Sequence, residues 1–217
     1  MKRLVRYSML MGVALMVFSS SAEAISRRSS KFSLRQRSQI ELRFGVREDT
    51  YIDNDYYFDG LVWRRASNGL VVSLGFNHWT DETTAINLTV KALATDFDDG
   101  VYDFGIYDRS YSVVPILVGF RKYLGPASGV RPYLAVSAGP VIGTETTSLA
   151  GIEVLDETLT QAAAGAYFGG GIDFIVGRHF MLGMNAGYNL LSDFDVPVGG
   201  HVNYSGAEFG VGFGLVF

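Results

Sequence analysis

The sequence predicts an all-β chain that closes into an eight-stranded antiparallel, transmembrane up-and-down β-barrel. Three observations carry this expectation. Apolar residues alternate with small or polar ones in eight separate segments, and the connections between those segments alternate between short and long. The chain also holds 26 glycines and has a mean hydropathy of +0.18, with no apolar run long enough for a spanning helix. A chain that enters lipid without helices satisfies its backbone hydrogen bonds only in a closed sheet.

The first segment, Gln39 to Glu48, puts Ile40, Leu42, Phe44 and Val46 on one face and Glu41, Arg43, Gly45 and Arg47 on the other. The second, Gly69 to Trp79, sets Leu70, Val72, Leu74 and Phe76 against Ser73, Gly75 and Asn77. The third, Thr84 to Ala94, sets Ile86, Leu88, Val90 and Ala92 against Asn87, Thr89 and Lys91. The fourth, Tyr111 to Tyr123, turns Val114, Ile116, Val118 and Phe120 away from Gly119 and Arg121, with Leu117 out of pattern.

In the fifth, Arg131 to Thr144, Leu134, Val136, Ala138 and Ile142 oppose Tyr133, Ser137 and Gly139. The sixth, Ala162 to Val176, opposes Phe168, Ile172 and Phe174 to Gly165, Tyr167, Gly169, Gly171 and Asp173. In the seventh, Phe180 to Leu190, the even positions are bulky and Gly183, Asn185, Gly187 and Asn189 face them. The eighth, Ser205 to Phe217, sets Phe209, Val211, Phe213, Leu215 and Phe217 against Glu208, Gly210, Gly212 and Gly214. Each segment is close to the roughly 9–11 residues of a tilted membrane strand.

A soluble sandwich also alternates, but it keeps its charges outside. Here the small face carries Arg43, Arg47, Lys91 and Arg121 against Glu41, Asp173 and Glu208, a set that pairs within a narrow lumen. The bulky apolar face must then meet lipid. Thr80–Thr83, Leu124–Val130 and Gly177–His179 are short connections, whereas 49–68, 95–110, 145–161 and 191–204 are long. Short turns belong to the periplasm and long loops to the outside, which places both termini in the periplasm. Trp79, Tyr123, Tyr133, Phe180 and Phe217 then fall at the lower rim, and Phe97, Tyr111, Tyr188 and Tyr204 at the upper, as two aromatic girdles.

Residues 1–24 read as a cleavable signal peptide: Lys2, Arg3 and Arg6, the apolar run Met9 to Phe18, then Ala22-Glu23-Ala24. Residues 25–38 form a basic periplasmic leader, expected to be disordered, and 39–217 the barrel. The absence of cysteine excludes disulfides and cysteine metal sites. Export and an acidic balance exclude nucleic acid as a partner. No cofactor is expected.

The terminal run Phe209-Gly210-Val211-Gly212-Phe213-Gly214-Leu215-Val216-Phe217 resembles the C-terminal signature of outer-membrane barrels. Val114-Pro115-Ile116-Leu117-Val118-Gly119-Phe120-Arg121, Arg131-Pro132-Tyr133-Leu134 and Gly169-Gly170-Gly171-Ile172-Asp173 are similar in character. Over nearly all its mature length the chain resembles the small OmpA/OmpX/OmpW-like barrel family. The resemblance implies an outer-membrane location and reading of Phe209, Val211, Phe213, Leu215 and Phe217 by the barrel-assembly machinery. Because the chain ends at Phe217, no peptidoglycan-binding domain is expected to follow, unlike OmpA.

Function is read from charge and the few reactive groups. The four long loops hold 15 acids against Arg64, Arg65 and Arg109. A solvated outer surface is the plain reading, with lipopolysaccharide and its bridging cations as the sharper one. Asp53 and Asp55, and Asp96, Asp98 and Asp99, are weak calcium candidates that lack the downstream Glu of a full loop. Tyr51, Tyr56, Tyr57, Phe58 and Trp63 in the first loop offer a contact patch.

Of the histidines only His201 falls on the external side, near Ser205, Asp193 and Asp195; His78 and His179 fall on the periplasmic side. Catalysis on lipid A is therefore the alternative, and no enzyme the expectation. Pro115 and Pro140 lie nearly opposite one another in the upper half of two paired strands, where a missing ladder bond suggests a lateral opening. Eight strands enclose a lumen that side chains fill, so a narrow channel for small or hydrophobic solutes is the third reading. The expected molecule is a monomer with a structural or surface-interaction role.

Overall fold

The computed structural model describes residues 34–49, 56–58, 61–63, 68–94, 107–125, 129–149 and 152–217. The barrel strands are β1 (Ser38–Asp49), β4 (Asn68–Trp79), β5 (Thr84–Ala94), β6 (Tyr107–Tyr123), β7 (Val130–Leu149), β8 (Ile152–Val176), β9 (Phe180–Leu191) and β10 (Gly206–Val216). They close antiparallel, each on its sequence neighbour, and β1 seals the cylinder by pairing both β4 and β10. A small hairpin, β2 (Tyr56–Phe58) with β3 (Leu61–Trp63), sits within the first long connection. No helix among the described residues is long and apolar enough to cross a membrane.

Each strand follows the parity expected of it. Ile40, Phe44, Leu74, Leu88, Phe120, Val136, Phe168, Leu182 and Phe213 are exposed on the outer wall, while Glu41, Arg43, Lys91, Arg121, Asp173 and Glu208 are buried inside. A period of two with one apolar face gives a sheet only one way to curl, and here the apolar face is the convex one.

Two expectations about the connections change. The stretch 145–161 is not a loop: β7 and β8 run through it for 20 and 25 residues and leave only 150–151 between them. Its β-branched residues, such as Thr146, Thr158 and Thr160, favour extended backbone, and their hydroxyls let it run on beyond the apolar belt. β6 likewise starts at Tyr107, inside the expected 95–110 loop. The barrel therefore projects a β6–β7–β8 sheet at its long-loop end.

The leader also departs from a disordered tail over its last residues. Leu34 is fully buried, its amide donates to Glu82 Oε2 at 3.2 Å, and Gln36 N–H reaches the Trp79 carbonyl at 2.9 Å. Gln36 takes a left-handed φ of 61°, which lets the turn double back into β1. Residues 1–24, read from the sequence as a signal peptide, and residues 25–33 lie outside the described residues.

The two prolines interrupt the ladder on both sides of β6. In register, Pro115 faces Lys91 and Val114 faces Ala92, where β5–β6 pairing lapses between Val90 and Leu93. Pairing of β6 with β7 lapses at Ile116 and Leu117, opposite Pro140 and Gly139. A proline brings no N–H, so each removes one rung. The strands keep one register across the gap, and Gly139 comes so close to the Ile116 carbonyl that a Cβ would collide with it. The interruption is one of hydrogen bonding between strands that stay in contact.

Candidate functional site

The lumen is layered: apolar at the short-turn end, polar through the middle and apolar again at the long-loop end. The layering follows from which inward positions each strand devotes to charge.

In the middle layer, Arg121 on β6 reaches across to Glu41 on β1 with two contacts, 2.6 and 3.1 Å. Arg43 on β1 donates to Glu41 (3.0 Å), Tyr133 Oη (2.9 Å), Asn185 Oδ1 (2.9 Å) and Asp173 (3.5 Å), tying β1 to β7, β8 and β9. Asp173 receives Tyr123 Oη at 2.8 Å and lies 3.5 Å from Arg121. Further up, Lys91 Nζ sits 2.5 Å from Glu208, whose oxygens also accept Asn189 at 2.8 Å and Asn185 at 3.4 Å. Such pairs are worth holding in a low-dielectric interior only when hydrogen bonds support them. Here every carboxylate oxygen of Glu41, Asp173 and Glu208 accepts at least one, while the Nε of Arg43 and of Arg121 has no acceptor. A cavity of about 40 Å³ remains beside Arg43, Lys91, Arg121 and Glu208, room for little more than a water.

Arg47 lies higher on β1 and donates to the Tyr204 carbonyl at 3.4 Å. A fifth buried cation escapes the sequence count. Arg131 shares its parity with inward Tyr133 and is 1% exposed. Five cations thus meet three carboxylates among these residues, and tyrosine faces supply the difference. Arg131 lies 4.1 Å from the Tyr123 ring, Lys91 4.2 Å from Tyr167, Arg121 4.5 Å from Tyr133 and Arg47 5.2 Å from Tyr204. A ring quadrupole stabilises a desolvated cation by about 2 kcal/mol.

The apolar layers close both ends. At the short-turn end Leu34 packs with Trp79, Ala85, Tyr123, Tyr133, Ile175, Met181 and Val216. At the long-loop end Phe194, Val198 and Tyr204, from the β9–β10 connection 192–205, drop onto Val71, Leu93, Val113, Val141 and Leu191. The connection is fastened there: Gln161 exchanges hydrogen bonds with both backbone groups of Val196, and Glu145 accepts the Gly199 amide at 2.8 Å. This is the long connection expected over 191–204, with Asp193 and Asp195 exposed; what composition hides is that Phe194, Val198 and Tyr204 within it turn into the lumen. Leu117, out of pattern in the sequence, is buried in the lumen beneath this lid.

The lower aromatic girdle is largely corrected. Trp79, Tyr123 and Tyr133 line the inside, as does Tyr204 from the upper set, because parity and not height decides which way a ring points. Phe180 and Phe217 do face outward, and Tyr188 stacks on outward Phe168 at 5.8 Å. Phe97 lies outside the described residues. The terminal Phe209, Val211, Phe213, Leu215 and Phe217 form one outward row, each about half exposed.

The residues of the catalytic alternative each have near neighbours in the structure. The His201 ring packs edge-on against Tyr204 at 5.8 Å, Ser205 Oγ is engaged by the Leu191 backbone, and Asp193 accepts Asn203 Nδ2 at 2.6 Å. His78 meets Ser38 Oγ at 3.0 Å and His179 the Val216 carbonyl at 3.2 Å, both at the short-turn end. The calcium candidates Asp53, Asp55, Asp96, Asp98 and Asp99 lie outside the described residues, among which no cluster of three metal-ligating side chains occurs.

Neither a protein-family profile nor a curated protein sequence matches the chain. Solved structures do. The attachment invasion locus protein Ail of Yersinia pestis is 15% identical, with 84% of this chain and 99% of that one covered and a TM-score of 0.50. Neisserial surface protein A is 12% identical over 84% and 97%, with a TM-score of 0.55. A major outer membrane protein of Thermus thermophilus is 12% identical over 83% and 99%, at 0.50. The fold is that of the small outer-membrane β-barrels.

Proposed function

We propose that this chain is an integral protein of the bacterial outer membrane with a structural or surface-interaction role. Its short turns and both termini face the periplasm, and its acidic long loops face outward. One observation carries the reading: a belt of exposed Phe, Leu, Ile and Val encircles a lumen of buried ion pairs, the inverse of a water-soluble protein. Likeness of fold to a bacterial attachment protein and a surface protein supports a role at the cell surface. Lipopolysaccharide is the neighbour such loops would meet, and the outward terminal row is what the assembly machinery would read.

Membrane fractionation and heat-modifiable gel mobility test the location. A protein soluble without detergent, with no mobility shift on boiling, overturns it. The filled lumen leads to negligible conductance in planar bilayers. The non-enzymatic reading is tested by replacing His201 with alanine and profiling lipid A by mass spectrometry; an altered profile would refute it.

A second reading is favoured by the ladder gaps that flank β6. The gaps near the long-loop end leave Val114 and Pro115 unpaired to β5 and Ile116 and Leu117 unpaired to β7, a place for an apolar solute or acyl chain to enter sideways. Hydrogen exchange decides: slow amides throughout 91–92, 116–117 and 139 exclude lateral access.

A further inference from the structure

We propose that the short-turn mouth of the barrel is an oxyanion site built from Arg131 and Trp79 and lidded by Leu34.

Arg131 is the one cation of the middle and lower lumen that forms no ion pair among the described residues. Its guanidinium is buried, and a single nitrogen, Nη2, is used, donating to the Glu82 carbonyl. Nε and Nη1 are buried without an acceptor. A buried unpaired guanidinium carries a large desolvation cost that an anion would offset. Trp79 supplies the second observation: it is fully buried and its indole N–H also has no acceptor.

Both side chains flank one ring. Arg131 lies 4.1 Å from the Tyr123 centroid and the Trp79 ring 6.1 Å from it. Tyr123 gives its hydroxyl to Asp173, which lies across the β7–β8 ladder from Arg131 but pairs with Arg43 and Arg121. Three nitrogens without acceptors, on two side chains about one ring, suit an acceptor with several oxygens, a phosphate or a carboxylate. The guanidinium fork matches that geometry, which an ammonium does not.

Among the described residues the rest of the cap is barrel wall, apart from the turn that carries Leu34. The Leu34 amide holds Glu82 Oε2, and the carbonyl of the same Glu82 holds Arg131, so one turn is shared by the lid and the site. Withdrawal of 34–37 uncovers the site from the terminal end without opening the wall. The ligand is an oxyanion, either free in solution or the phosphate of a lipid headgroup at the adjacent rim.

The test uses the full barrel refolded in octyl glucoside, which carries no phosphate. The chain has two tryptophans, so Trp63→Phe leaves Trp79 as the only indole signal in a 1H–15N spectrum. Inorganic phosphate and, separately, phosphatidylglycerol mixed micelles are titrated in at constant ionic strength. A saturable shift of the Trp79 indole is expected; phosphate acting alone identifies a free-ion site, and a shift only with lipid identifies the headgroup. Arg131→Gln should weaken binding at least ~10-fold, equivalent to about 1.4 kcal/mol. If that variant loses its heat-modifiable mobility, Arg131→Lys, which keeps charge but not the fork, is expected to weaken it as well. Deleting residues 25–34 should speed binding. No shift with either ligand overturns the site, as does a shift of unchanged affinity in the Arg131 variants.

Discussion

Arg121 grips Glu41 with both terminal nitrogens, Nη2 2.6 Å from Oε1 and Nη1 3.1 Å from Oε2, across the lumen from β6 to β1. A planar fork meeting a planar carboxylate fixes orientation as well as charge, and Arg43 completes the same carboxylate with a further bond. Arg121→Met leaves Glu41 and Asp173 short of a partner inside the barrel. The expected loss is about 3–5 kcal/mol, read from urea unfolding in detergent. A loss below about 1 kcal/mol would show that Arg43 alone satisfies both acids.

Tyr167 is seated on glycine. A Cβ added at Gly187 would lie 2.6 Å from Tyr167 Cζ, and Gly169 is as close to its hydroxyl. The ring cannot move outward through the wall, and inward it would lose its place under Lys91. Gly187→Ala is expected to lower the temperature at which the compact gel form converts to the extended one. Adding Tyr167→Leu should return most of that loss, since the clash is with the ring and not with the backbone.

Asp81, in the β4–β5 turn, accepts the Thr83 amide at 2.7 Å and the Thr83 hydroxyl at 2.9 Å. These bonds, the amide first, hold its carboxyl down at about 2. A depressed folded value stabilises the turn above the unfolded value of 3.8, and the effect fades as pH falls toward 2. Carboxyl 13C shifts should titrate with that low midpoint, and Thr83→Ala should raise it part of the way while the amide bond persists.

The 192–205 lid is held by what it buries. Tyr204→Ala removes the ring beneath Arg47 and against Phe194, together with the hydroxyl that reaches the Val198 carbonyl. Cleavage within 193–203 by an external protease should become rapid in this variant and stay slow in the parent. Conductance should remain negligible in both, because the ion-paired layer below still fills the barrel.

How much of this is legible in advance follows from what each signal measures. Parity along a strand is a local property, so the outward apolar row and the inward charges are assigned residue by residue. Arg131 carries the same parity signal as Tyr133, yet its place beside a turn leaves it out of the inward count. Rim aromatics are misplaced when their height is read and their parity is not. Loop and strand are confused over 145–161 because a β-branched polar run beyond the membrane reads like a loop by composition and like a strand by conformation.

The order of strands, their two faces and the character of lumen and wall were determined by the sequence alone, because alternation with period two has one closed solution in a chain with an apolar outer face. Which cation meets which carboxylate was decided only by the tertiary structure. Arg43 and Asp173 are 130 residues apart and meet through the register and stagger of closure. The same holds for the two caps, since Leu34 and Tyr204 lie in segments with no periodicity of their own, and only the finished cylinder offers them an opening to fill.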